Sequence, residues 1–251
     1  MKPWPVKLNS ASCLFSQAGR RLFAVYAPLL GACLFVTPLF PQASPFADGE
    51  RLTYEVTWPS GLSLGETEFL ARATTAGWAF EATVIATLPT LEIYDEYHSK
   101  TSASLCSSEF EKNAKHGAKK IREAVEFNQT KHRATRKSLG GRGESEIDIP
   151  PCARDGLTFL YYLRQQLAAG RIPPPDDINF GAQYQISVTY LEAVDITVAG
   201  EQRKADRILV DVTGPKSQHG FEILFGQDAA RTPLLMQIPF EMGTFSLRLV
   251  Q

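Results

Sequence analysis

The chain has 251 residues, 44% of them hydrophobic, with 26 basic and 27 acidic side chains. That is enough apolar material for a sizeable core in one large or two small domains. The formal charge of −1, which becomes −5 without the basic leader described next, excludes a general nucleic-acid binder.

Residues 1–47 contain Lys2, Lys7, Arg20 and Arg21 and no acid, and the apolar run LFAVYAPLLGACLFVTPLF (22–40) follows the basic pair. Basic-then-apolar is the order of a secretory signal. A run of 19 residues also suffices for a membrane anchor, although Pro28 and Pro38 interrupt it. Three export routes fit: GRRLFA (19–24) resembles a twin-arginine signal, LGAC (30–33) resembles a lipobox that would lipidate Cys33, and Ala43 or Ala47 suits an ordinary cut. All three lead out of the cytoplasm, to the periplasm or envelope, with membrane association only through this segment or its lipidation. Residues 48–251 are expected to form a single β-rich domain, with 22 basic against 27 acidic residues.

Past residue 48, apolar side chains recur at every second position. LTYEVTW sets Leu52, Tyr54, Val56 and Trp58 on one face, and Trp78, Phe80, Ala82 and Val84 repeat the pattern. Later come Tyr184, Ile186, Val188 and Tyr190; Ile208, Val210 and Val212; Phe221, Ile223 and Phe225; Leu234, Met236 and Ile238; and Phe245, Leu247 and Leu249. A period of two predicts antiparallel strands with one buried face. Turn signals such as PSG (59–61), AG (76–77), GGRG (140–143) and AGE (199–201) separate them.

YDEYHS (94–99) clusters Asp95, Glu96 and His98, but on a strand Glu96 and His98 share a face while Asp95 points away. The block 112–142 holds ten basic residues, among them Lys112, Lys115, Lys120, Arg122 and Arg136. It reads as a solvated, charge-protected face or as a patch for anionic lipid heads or glycans. His116, His132 and His219 lack metal-motif spacing, and the His-Gly pairs at 116–117 and 219–220 read as turns. Cys106 and Cys152, the two cysteines outside the leader, fit either a disulfide in an oxidising compartment or two buried thiols. They lack zinc-ligand spacing, and no metal or cofactor is expected.

DGLTFLYYLRQQLAAGR (155–171) is the one long segment with helical periodicity. Asp155 is a good N-cap, and Gly170 with Pro173 beyond it gives a stop, so a helix is predicted over 155–168. Phe159, Leu160, Leu163 and Leu167 form its apolar stripe, widened by Leu157, Tyr161 and Ala168, with Thr158, Tyr162, Gln165 and Gln166 opposite. Arg164 sits at the edge of that stripe. Its options are to snorkel into water, or to pair with a ligand's carboxylate or phosphate, or with an internal acid. The three prolines of RIPPPDD (171–177) make an extended connection to the next strand. The predicted fold class is therefore mainly β: one antiparallel, strongly curled sheet or partly open β-barrel, with a single α-helix packed on its concave face.

GERLTYEVTW (49–58) with LSLGE (62–66), the DGLTFLYYLR helix, and the terminal run FEILFGQDAARTPLLMQIPFEMGTFSLRLV (221–250) together resemble the exported bacterial proteins grouped as domain of unknown function 3108. The resemblance implies envelope localisation and a mostly β fold, and it transfers no catalysis. LCSSEFEKNAKHGAKK (105–120) and PPCARDG (150–156) look like a cysteine-containing branch of that group, which favours a Cys106–Cys152 bridge.

The leading functional expectation is a non-catalytic exported envelope protein that binds an amphiphilic or apolar ligand, or an envelope partner, between helix and sheet. A ligand tail would lie near Phe159, Tyr161 and Leu163, with Arg164 at its head group. Lipid, amphiphile or envelope protein are the partners expected, and nucleic acid is not. A hydrolase of an envelope polymer or lipid, with Glu96 and His98 as its acid/base pair, is one alternative. A structural module of an envelope complex, marked by a large exposed apolar patch, is the other.

Overall fold

Period-two alternation becomes strand along most of the described chain. The structure, a computed structural model, describes residues 44–250 except 89–90, 142, 181, 215–217 and 241–242. Residues 1–43 of the leader, with Cys33, Ala43 and the twin-arginine and lipobox signals, lie outside the described residues, whereas Phe46, just before the Ala47 cut site, is buried with Phe80 and Tyr161.

The first wing of the sheet comprises β1 (Glu50–Thr57), β2 (Ser63–Ala73), β3 (Gly77–Leu88), β4 (Leu91–Ser102), β5 (Ser107–His116), β6 (Lys119–Asn128), β7 (Arg133–Ser138) and β8 (Glu144–Asp148). A short β9 (Arg154–Asp155) then leads into α1 (Gly156–Ala168). The second wing follows as β10 (Asp176–Asn179), β11 (Gln183–Val198), β12 (Glu201–Thr213), β13 (Gln218–Gly226), β14 (Pro233–Phe240) and β15 (Gly243–Leu249). Across the sheet the order runs from β8 back to β1, crosses to β15, and continues back to β9. Neighbours pair antiparallel throughout, apart from the parallel β9–β10 contact. The first and last strands therefore meet at the centre, and the two outer edges, β8 and β9, are consecutive in sequence.

Each strand pair adds a twist of about 20–25°, and sheets beyond about ten strands curl or split. Here the β9 edge bends back onto the start of β5. Ser107 N donates to Ala153 O at 3.0 Å. The Gln129 amide donates to the carbonyls of Ser107 and Ala153 at 2.6 and 3.0 Å and accepts from Ala153 N at 3.1 Å. The Cys106–Cys152 disulfide fastens the same seam, with Cα atoms 4.6 Å apart. The sheet is thus rolled but not closed, and β6, β7 and β8 continue past the seam.

Strand register defines the inner face. A lower row runs through Glu50, Ala71, Phe80, Ser99 and Phe110, and an upper row through Val56, Gly65, Ala86, Ile93 and His116. The rows are six residues apart on β1, about 20 Å at 3.4 Å per residue. Leu52, Tyr54 and Val56 are buried, as their alternation predicts. Tyr190 is the exception among the expected inward aromatics. A register shift between Tyr190 and Glu192 interrupts β11 there, and the ring is exposed.

α1 lies against the lower row. Phe159, Leu163 and Leu167 join the main core with Leu52, Tyr54, Phe225 and Leu249, while Leu157 and Tyr161 pack with Phe46, Ala71, Phe80 and Leu105. Burying each large side chain stabilises the fold by roughly 1.5–3 kcal/mol. Gly170, at φ +68°, lets the chain leave the helix in a left-handed turn that closes Arg171 N onto Gln166 O. Two local expectations change. His219 and Gly220 lie inside β13 rather than in a turn, and Thr158, assigned to the solvent side of the helix, is fully buried.

Candidate functional site

The lower end of the rolled sheet is closed by polar bonds as well as by packing. Asp155, 0% exposed, caps α1 by accepting from Leu157 N and Thr158 N, both at 2.9 Å. Its carboxylate also accepts from Ser99 Oγ (2.8 Å), Ser107 Oγ (2.6 Å) and Thr158 Oγ1 (2.7 Å), and its own amide donates back to Ser107 Oγ at 2.9 Å. That explains why Thr158 is inside: its hydroxyl is part of the cap. Ser107→Ala is expected to cost about 1–3 kcal/mol and Ser99→Ala about 1 kcal/mol in urea unfolding, because Ser107 serves Asp155 twice.

Arg164 is 1% exposed and does not snorkel. Its Nη1 and Nη2 donate to the two Glu50 oxygens at 2.5 and 2.9 Å, and Nε and Nη2 donate to Ala230 O at 3.2 and 3.0 Å. The rings of Phe46 and Tyr161 lie 5.4 Å from the guanidinium carbon. Its partner is thus an internal acid, the first residue of β1. Tyr161 stacks on Phe80 with centroids 3.8 Å apart, and burial holds the phenols of Tyr161 and Tyr54 far above the usual tyrosine range. The expected ligand-lining residues Phe159, Tyr161, Leu163 and Arg164 are all buried in the packed helix–sheet seam.

Above the helix the inner face changes character. Trp58, Ile93, Val188, Val212, Phe221 and Ile238 pack on the core but are only half-buried. Small residues, Gly65, Ala86 and Ala114, occupy the wall beside them. This upper half is an apolar surface that protein covers incompletely.

One flank of it is polar. Asp95, buried, accepts from Tyr97 Oη at 3.0 Å and lies 3.0 Å from His116 Nε2 through both carboxylate oxygens. Burial and the Asp95 charge keep the Tyr97 phenol protonated. Arg136 forks onto Glu123. Arg154 pairs with Asp176 at 2.8 Å and lies 3.7 Å above the Tyr162 ring. Lys112 Nζ lies 5.8 Å from the Tyr97 ring centroid and 5.3 Å from that of Phe180. The sequence offered one signal for this group: the inward parity of Asp95. The partners on β5, β6 and after β10 required the register.

Glu96 and His98 lie on the opposite, outer face of β4. Glu96 accepts from Tyr94 Oη at 2.7 Å and Asn113 Nδ2 at 2.9 Å, bonds that hold its carboxyl below the usual carboxylate range. The pair does not reach the concave surface. In the basic block, Lys115, Lys120 and Arg122 are exposed, while Arg136 and Lys137 bond glutamates on β6. Among the described residues no group of three or more His, Cys, Asp or Glu side chains is placed to hold a metal ion.

The profile of the family described as "Protein of unknown function (DUF3108)" matches residues 53–250, nearly the whole rolled sheet and its helix. The chain belongs to the DUF3108 family. No curated protein matches this DUF3108 chain significantly. Among solved structures it is similar to a β-barrel-like protein of domain of unknown function DUF1849 from Brucella abortus, at 10% identity and a TM-score of 0.59. That match covers 80% of this chain and 95% of the other, and it shows a shared mainly β, barrel-like fold. A putative lipoprotein from Parabacteroides distasonis matches at 10% identity over 84% of this chain and 96% of that one, with a TM-score of 0.33. The predicted disulfide of the cysteine-containing DUF3108 branch is present between Cys106 and Cys152.

Proposed function

We propose that this DUF3108 protein is a non-catalytic, exported envelope protein that takes an amphiphilic or apolar ligand onto the upper half of its concave face. The observation that carries this reading is the arc of half-buried inward side chains from Trp58 to Val188, set above a helix that already fills the lower half. Ligand sites are concave, mostly apolar and edged by a few polar groups, and this surface has that composition. Placing the ligand above α1 departs from the seam around Phe159, Tyr161 and Leu163, whose atoms are spent on the core. The basic, acid-free leader supports export, and the disulfide fits an oxidising compartment. The outward placement of Glu96 and His98 gives a hydrolytic reading no support on this face.

The test is gentle, detergent-free purification of the exported protein, followed by native mass spectrometry and solvent extraction. A co-purifying amphiphile, or uptake of the uncharged dye N-phenylnaphthylamine by the empty protein, is the expected result. A chain that emerges bare and takes up no dye contradicts the reading. Recovery of a stoichiometric protein partner in place of a small molecule would assign the same surface to an envelope protein.

A further inference from the structure

Resting on that reading, we infer that Lys112 is the anchor for an anionic head group, so that the ligand is a carboxylate- or phosphate-bearing amphiphile. Register places Leu52, Phe69, Ala82, Tyr97, Lys112 and Glu123 in one inward row, one step above the row that α1 covers. Lys112 is half-buried there, its ammonium beside the neighbouring rings of Tyr97 and Phe180. Every other cation that is at least half-buried among the described residues has a carboxylate within ion-pair distance: Arg136, Lys137, Arg154, Arg164, Arg207 and Arg231, and His116 beside Asp95. Lys112 has none. Glu123, directly across from it, is engaged by Arg136, and Asp95 is engaged by His116 and Tyr97.

A half-buried ammonium without a counter-charge is costly, and aromatic faces offset only part of that cost, about 0.5–2 kcal/mol. Its three N–H donors suit an anion with no fixed fork geometry. A second polar side chain is also without a partner. Asn179, immediately before Phe180, is 3% exposed, and neither its amide nitrogen nor its oxygen bonds any protein group. A buried amide is seldom left unpaired by the chain that buries it. An ammonium with no carboxylate, in an inward row with Leu52, Phe69 and Ala82, is what an acidic head group with a hydrocarbon tail requires, and the unpaired Asn179 amide at the end of β10 is a further polar group without a protein bond.

The test compares two fluorescent probes on the full exported chain: cis-parinaric acid, which is anionic, and N-phenylnaphthylamine, which is not. Lys112→Met is expected to weaken parinarate binding about 10–100-fold, the worth of a charge-assisted hydrogen bond, and to change dye binding less than about twofold. Lys112→Arg should restore most of the parinarate affinity, and Lys115→Met, on the outer face, should alter neither probe. Competition by dodecanoate against dodecyl phosphate then separates the two head groups. Parinarate binding unchanged in Lys112→Met, or both probes lost together, overturns the inference while leaving the apolar site standing if the dye still binds the unaltered chain. Failure of both probes on the unaltered chain removes the proposed function itself.

Discussion

Replacing Arg164 by Met is expected to destabilise the protein by about 3–5 kcal/mol, because it strands the Glu50 carboxylate in a site built for a bidentate cation. Glu50→Gln should cost a similar amount from the other side, leaving a guanidinium with 1% exposure and only Ala230 O to bind. The double replacement Glu50→Leu with Arg164→Met should recover most of the loss, since a packed apolar pair needs no desolvation of charge. Equilibrium urea unfolding of the four chains measures the coupling directly. Single effects that simply add would mean that the two side chains do not act as a pair. The ion pair also joins the first residue of β1 to the middle of α1, so its loss should loosen the helix at the lower end before the sheet melts.

Loss of the Cys106–Cys152 bridge is the second large effect. The disulfide closes a loop of 46 residues spanning β5 to β8, which on the chain-entropy account stabilises the fold by about 4 kcal/mol. For a chain of this size about 2–4 °C accompany each kcal/mol, so Cys106→Ala with Cys152→Ala should lower Tm by roughly 8–16 °C. The consequence is local as well as global. The β9 edge is held to β5 by little else than one backbone hydrogen bond, the Gln129 amide and the Asp155–Ser107 contacts, so its amides should exchange fastest in the reduced protein. Thermal melts with and without reductant, followed by hydrogen exchange, check both statements.

The parts of this fold that were legible in the sequence are those governed by local periodicity. Alternation along 52–56, 208–210 and 245–249 became strand with the expected face buried, and Asp155 and Gly170 set the ends of the helix as their chemistry dictates. The site was less legible because its contacts are distant in sequence. Glu50 and Arg164 are 114 residues apart, so nothing local showed that the charge at the edge of an apolar stripe would find an acid at the start of β1. Thr158 looked like a solvent-facing residue on a helical wheel, yet Asp155 and Ser107 draw its hydroxyl inward. Likewise Asp95 was seen to point away from Glu96 and His98, but its partners Tyr97 and His116 emerged only once β4 was registered against β5. The block 112–142, with its ten basic residues, concealed Lys112 because strand parity alone does not say which wall of a rolled sheet a lysine faces.

The proposed function places a hydrocarbon chain on the upper half of the concave face and not in the helix–sheet seam. Two tryptophans report on the two places. Trp58 stands at the upper end against Phe245, with ring centroids 4.9 Å apart, and Trp78 lies at the lower end, 4.7 Å from the ring of Phe46. With Trp4 replaced by Phe, titration of Trp78→Phe and Trp58→Phe chains with dibrominated stearate, whose bromines quench nearby indoles, distinguishes them. Saturable quenching of Trp58 with Trp78 unaffected is the predicted result; quenching of Trp78 alone, or of neither, would contradict it.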